Sequence, residues 1–173
     1  MRRHLLLALL IFPVGVWLTG CATIPVVGSV DSRVERALKE IPRRGAWERA
    51  QCWSGVRVVM DYNVSTAAIT VCEIHLYPRV LAWPHDELRA MLAHEIGHMM
   101  NNDAGFLRRV GTYSITKERQ ADARAVVLLA RINLEACLAL PRVFERLERE
   151  SGNNGASSTH PSYPDRYTAT AQW

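Results

Sequence analysis

The sequence predicts an α+β domain, mainly helical, with a small antiparallel sheet or hairpin beside one long helix. Apolar residues recur at helical spacing in three stretches of the second half, "DELRAMLAHEIGHMMN", "KERQADARAVVLLARI" and "LEACLALPRVFERLERE". Two earlier runs, "VRVVMDYN" and "AAITVCEIHLYPRV", are rich in β-branched and aromatic residues and are separated by the polar "VST". A composition of 49% apolar and 22% charged residues over 173 positions suits one globular domain with one core.

The first twenty residues differ in kind. A basic head, Met1 to His4, precedes the apolar run "LLLALLIFPVGVWL", which Pro13 and Gly15 break and which is too short to span a membrane comfortably. This reads as a secretory signal over 1–20. The following Leu18-Thr19-Gly20-Cys21 resembles a bacterial lipobox, which implies that Cys21 becomes the first mature residue and carries lipid. Two or three acyl chains on one residue anchor stably, at roughly 0.8 kcal/mol per buried methylene. By resemblance to Gram-negative lipoproteins, Ala22 in place of an aspartate after the cysteine favours the outer membrane, so the expected location is the bacterial envelope, facing the periplasm. Residues 21–31 form a Pro- and Gly-punctuated tether, and 32–173 the domain. Removing 1–20 deletes Arg2 and Arg3 and no acidic side chain, which lowers the formal charge from +4 to +2. Nothing in that balance asks for nucleic acid.

"SRVERALKEIP" predicts a first amphipathic helix with Val34, Ala37, Leu38 and Ile41 on one face and Pro42 stopping it. The two β-rich runs read as an antiparallel hairpin, with Cys52 and Cys72 in neighbouring strands as the candidate disulfide and Cys137 free and buried in a helix. No C-x-x-C spacing supports a cysteine zinc site. Pro84 and Asp86 start the long helix, whose stripe is Leu88, Leu92, Ile96 and Met99. Gly105 and Gly111 mark a loop, Ser114 or Thr116 caps the next helix, and Pro141 kinks or splits the third. "SGNNGASS" is a flexible loop, and "THPSYPDRYTATAQW" closes the chain. Trp47, Trp53 and Trp83 belong to core or membrane-facing surface.

The long helix carries His94-Glu95-x-x-His98. Residues four apart lie on one helical face, so both imidazoles can reach one ion, while Glu95 is turned away from that pair and can reach a water on the metal. Nineteen residues beyond His98, "ERQAD" sets Glu118 and Asp122 one turn apart on the next helix. By itself this run reads as a solvated charged face. Beside the first motif, Glu118 is a third ligand and Asp122 an acceptor for a ligand histidine's other ring N–H. His75 alternates with apolar neighbours in a strand and reads as structural or cleft-lining, and His85, at a helix start, reads as exposed.

H-E-x-x-H, a nineteen-residue gap and E-x-x-x-D together resemble the gluzincin metallopeptidases. The order "DELRAMLAHEIGH", "ERQAD" and "HPSYPDR" is similar to the family of the CAAX-prenyl endopeptidase, HtpX and Oma-type proteases, over about residues 68–166. The resemblance implies a zincin-like minimal catalytic domain with one Zn2+ on His94, His98 and Glu118. It implies Glu95 as general base, and His160 and Arg166 as late-segment residues that stabilise the oxyanion or hold substrate. It further makes "TVCEIHLYP" an edge strand that binds extended peptide. The expected function is therefore a zinc metalloendopeptidase acting on unfolded or extended polypeptide, with a catalytically inactive, chaperone-like zinc protein as the alternative. Relatives often carry membrane spans or long insertions that govern access. Here the gap between motifs is short and no further apolar span exists, so the site is expected to be more open or gated by a regulatory partner.

Overall fold

The computed structural model describes residues 31–42, 52, 55–70, 72–103, 114–157 and 160–172. The signal, Cys21 with its expected lipid, nearly all of the tether, Trp47, Trp53 and the Gly105–Gly111 loop lie outside the described residues.

Helix α1 (Ser32–Glu40) is capped by Asp31, whose carboxylate accepts the Arg33 N–H at 2.8 Å, and it buries Val34, Ala37 and Leu38. Ile41 leaves the helix in an extended conformation, as the following Pro42 requires.

The three strands, β1 (Arg57–Met60), β2 (Ala67–Ile69) and β3 (Glu73–Leu76), form one mixed sheet in the order β1-β3-β2. Two expectations are corrected here. The two β-rich runs do not pair as an antiparallel hairpin: β1 lies parallel to β3, with Val58 opposite Ile74, and the hairpin is internal to the second run, where β2 pairs antiparallel with β3. β3, expected to be an edge strand, is therefore the central one, and β2 is an edge. The physical reasons are local. Thr70 N–H donates to the Glu73 carbonyl at 2.9 Å and reverses the chain inside the run. The Cys52–Cys72 disulfide, with its Cα atoms 5.3 Å apart, and the Arg57 N–H to Cys72 carbonyl bond at 2.9 Å tie the beginnings of β1 and β3 together, which sets them parallel. A central position also buries Ile74 and Leu76 completely.

A 3-10 turn (Pro78–Ala82) leads to α2 (His85–Met100), and the Arg33 guanidinium fastens α1 to this entrance through the carbonyls of Leu81 and Trp83. His85 is half-buried against Glu40 at 3.0 Å rather than exposed. Helix α2 packs against α1, β2, α3 (Ile115–Ala130) and α5 (Ala139–Ser151), so every residue from Glu87 to Met99 is buried and the expected stripe is only one of its covered faces. Ser114 caps α3, accepting from Lys117 N–H at 3.4 Å. The third helical stretch is split at Leu138 into α4 (Leu134–Cys137) and α5, and Pro141 is the third residue of α5, where its missing N–H costs no helical bond. Helix α6 (Tyr163–Ala171) occupies the closing segment, which had shown no apolar period. Ser162 caps it by accepting the Asp165 N–H at 3.2 Å and donating to the Asp165 carboxylate at 2.6 Å. Among the described residues no helix is long and apolar enough to cross a membrane.

The close approach of α2 and α3 depends on Gly97, where a Cβ would stand 2.6 Å from the Ala121 carbonyl oxygen. Gly97→Ala is expected to lower stability by about 1–3 kcal/mol through overpacking, although alanine is the better helix former by up to about 1 kcal/mol. A urea midpoint equal to or above that of the parent would refute this contact as the limit on helix approach.

Candidate metal centre

His94 and His98 stand one turn apart on α2 and are 6% and 2% exposed. Their Nε2 atoms approach to 3.1 Å. The first turn of α3 brings in Glu118, with Oε2 3.5 Å from His94 Nε2 and Oε1 3.3 Å from His98 Nε2. Donors around a tetrahedral ion with bonds of about 2.0–2.1 Å are separated by about 3.3 Å, so these spacings suit one small ion.

The other ring nitrogens explain why the three groups face one another. His94 Nδ1 lies 2.9 Å from Asp122 Oδ1, and His98 Nδ1 lies 3.1 Å from Asp103 Oδ2. Carboxylates beside both Nδ1 atoms favour the tautomer that carries its proton on Nδ1, which would leave the Nε2 atoms to a metal ion; without one, an Nε2 proton can be shared with Glu118. Such an arrangement can take up a cation at its centre. Around the centre the buried charged side chains are Glu95, Asp103, Glu118, Asp122 and Arg166, with Lys117 3.6 Å from Asp103 at the margin. His94, His98 and Glu118 can hold a metal ion.

A proton and a metal ion compete for this place. Burial opposes charge on His98, but hydrogen bonds with Asp103 and Glu118 prevail and push its pKa up to about 9. For His94, burial and the Arg166 charge are likewise overcome, by Asp122 and Glu118, and its pKa is raised. Glu118 is destabilised as an anion by burial, yet its bonds to the two histidines hold it well below the usual carboxylate range. Asp122 is lowered in the same way, against burial, by Arg166 and His94. Glu95 alone among these carboxylates goes up, because burial outweighs the attraction of the two imidazoles.

Helix α6 carries Arg166 into the centre. Its guanidinium grips Asp122 with two bonds, of 2.9 and 2.7 Å, stands 3.3 Å from Glu118 and lies over the Phe144 ring at 4.2 Å from the centroid. Its charge is thereby occupied in holding the carboxylates that orient and complete the ligand set. His160 is at the mouth, with Nε2 3.6 Å from Glu118 and its backbone N–H donating to Ser157 Oγ at 3.0 Å. His94, Glu95, His98, Glu118, His160 and Arg166 line one cleft of about 370 Å³. Asp122 supports it from behind. His75 takes no part in the centre, being engaged with Asp61 at 3.0 Å and Glu73 at 3.3 Å. Asp103 is the residue that sequence reasoning missed. It lies just past the end of α2, five positions after His98, where no helical spacing applies, and the only signal was an acidic residue closing "HMMNND".

The chain matches no protein-family model, no curated protein and no solved structure, so its functional reading rests on the geometry of this centre.

Asp103→Ala and Asp122→Ala are each expected to weaken metal binding by about 10–100-fold, measured by competition with a chromophoric chelator; unchanged affinity would remove the orienting role. The raised pKa of His98 stabilises the metal-free fold fully below its ordinary value of 6.5, and that contribution is lost as pH rises through about 9. Metal binding runs the other way, since His98 must first lose its proton. Metal affinity should therefore increase with pH up to about 9 while the melting temperature of chelator-treated protein falls over the same window.

Proposed function

We propose that the protein is a zinc-dependent endopeptidase, a gluzincin with a zincin-like domain, that cuts extended segments of envelope proteins. Two imidazoles and one carboxylate, from His94, His98 and Glu118, are a donor set that would hold a hydrolytic zinc ion. The observation that carries the reading is Glu95. Its carboxylate is 5% exposed, lines the cleft beside both ligand histidines, and has no hydrogen bond or ion pair tying it down among the described residues. A structural carboxylate buried to that degree would be paired.

When bound, zinc supplies Lewis acidity to the scissile carbonyl and to the attacking water, whose pKa it lowers towards about 7. Glu95, with its proton affinity raised by burial, takes the proton from that water and passes it to the departing amine. His160, whose Nε2 is 3.6 Å from Glu118 at the mouth of the cleft, would donate to the carbonyl oxygen as charge develops there. Arg166 acts through Asp122 and Glu118, keeping the ligand set in register. The edge strand β2, whose small Ala67 and Ala68 line the cleft, can accept an extended peptide backbone. A substrate in the envelope, reached from a lipid on Cys21, follows from the reading of the chain's first residues.

Glu95→Gln is expected to bind zinc at the parent stoichiometry and to lose at least about 100-fold of the rate at which unfolded casein is cut. Chelator should abolish the parent activity and added zinc restore it. A Gln variant that still cuts would overturn the mechanism, and a parent protein that binds zinc and cuts nothing would be a zinc-binding module without catalysis.

A further inference from the structure

The solvent face of α3, together with the short helix α4, presents apolar and basic side chains side by side. Val127, Leu134 and Leu138 are 45%, 75% and 52% exposed. The two leucines stand one helical turn apart, and Cys137 Sγ reaches the Val126 carbonyl at 3.8 Å, which brings the neighbouring Val127 and Leu138 to one corner of the molecule. Of the exposed charged side chains between Ser114 and Arg142, Arg119, Arg124, Arg131 and Arg142 are basic and only Glu135 is acidic. The sign then reverses along α5, whose next exposed charged residues are Glu145 and Glu148. Single exposed apolar residues are ordinary on a protein surface. A leucine pair and a valine set among arginines are the chemistry of a face that lies on lipid, the apolar groups entering the headgroup boundary and the guanidiniums meeting phosphates.

We infer that this corner docks the domain on an anionic phospholipid surface. Charge complementarity favours that occupant, because a basic corner on a molecule with acidic groups further along α5 is drawn to a negative surface in one orientation. With lipid on Cys21, the chain from 21 to 31 reaches at most roughly 35 Å, so the domain is held close to the surface on which it rests. Docking also fixes which way the metal centre faces. Glu118 and Val127 are nine positions apart on α3, half a turn round the helix, so the face that meets lipid is the reverse of the one that carries the ligand. The centre is then held on the side of α3 away from the membrane, whatever chemistry it performs.

The full chain is mixed with vesicles of phosphatidylcholine, alone or with phosphatidylglycerol added, a water-soluble diazirine is photolysed, and the carbene adducts are located by mass spectrometry. Tyr62, 77% exposed just after β1, is the internal control. Phosphatidylglycerol is expected to lower the labelling of Val127, Leu134 and Leu138 several-fold and to leave Tyr62 unchanged, and high salt should restore it. Arg131→Glu combined with Arg142→Glu should lower the ratio of docked to undocked chains by at least about 25-fold, roughly fivefold for each arginine lost, with metal content unchanged. Flotation with phosphatidylcholine vesicles reports the anchor by itself, so failure of the lipid on Cys21 and failure of the docking corner are told apart. Equal labelling of the corner in both kinds of vesicle would overturn the inference, as would protection of Tyr62 to the same degree. Protection that needs no vesicles and grows with protein concentration would assign the corner to a second copy of the chain and overturn it too.

Discussion

The placing of α3's first turn against the middle of α2 is the constraint on which the rest of the molecule depends. It brings Glu118 to within 3.3–3.5 Å of two imidazoles in an interior where water cannot screen them. Buried ionised groups are tolerated only when each has partners, and several neighbouring features answer that demand. Asp103 and Asp122 take the Nδ1 protons, Arg166 grips Asp122, and Phe144 carries the guanidinium on its face. Removing any one member leaves a charge or a lone pair without its complement, so the cluster is expected to behave as a unit.

That demand also accounts for the shape of the scaffold. Helix α2 is covered on all sides because its polar residues must be sealed from solvent while the cleft remains open along one edge. Gly97 permits the backbone of α3 to come close enough for a side chain as short as glutamate to reach the histidines. Helix α6 exists at the chain's end because Ser162, Pro164 and Asp165 start it, and it matters because Arg166 hangs from its first turn. The sheet contributes less to the centre itself. Its edge strand β2 forms one bank of the cleft, and its other two strands bury Ile74 and Leu76 and hold that bank in place.

Glu95 differs in kind from its neighbours. Glu118 and Asp122 are anions stabilised by partners, whereas Glu95 is an anion that its surroundings disfavour and leave untied. A carboxylate that bears this cost beside the ligands and in the cleft would suit the uptake and release of a proton that the proposed reading asks of it. This is the physical content of the proposed peptidase chemistry.

Much of the centre was legible from spacing alone. His94 and His98 at i and i+4, and Glu118 and Asp122 at the same interval, are consequences of helical geometry that any chain with those letters in a helix must obey. The helix start at Pro84, the stop at Pro42 and a cap for α3 at Ser114 or Thr116 were equally local, whereas the candidate Cys52–Cys72 bridge, 20 residues apart, formed between strands that pair in parallel and not as the expected hairpin. What spacing could not supply was the relation between elements. The parallel β1–β3 pairing, the central place of β3, the meeting of Asp103 with His98 and the reach of Arg166 across 44 positions to Asp122 depend on which surfaces bury one another. Local letters name the groups able to bind an ion, because helical period is a property of the backbone. Three-dimensional packing puts those groups at ligand distance and strips them of water, because burial is a property of the whole chain.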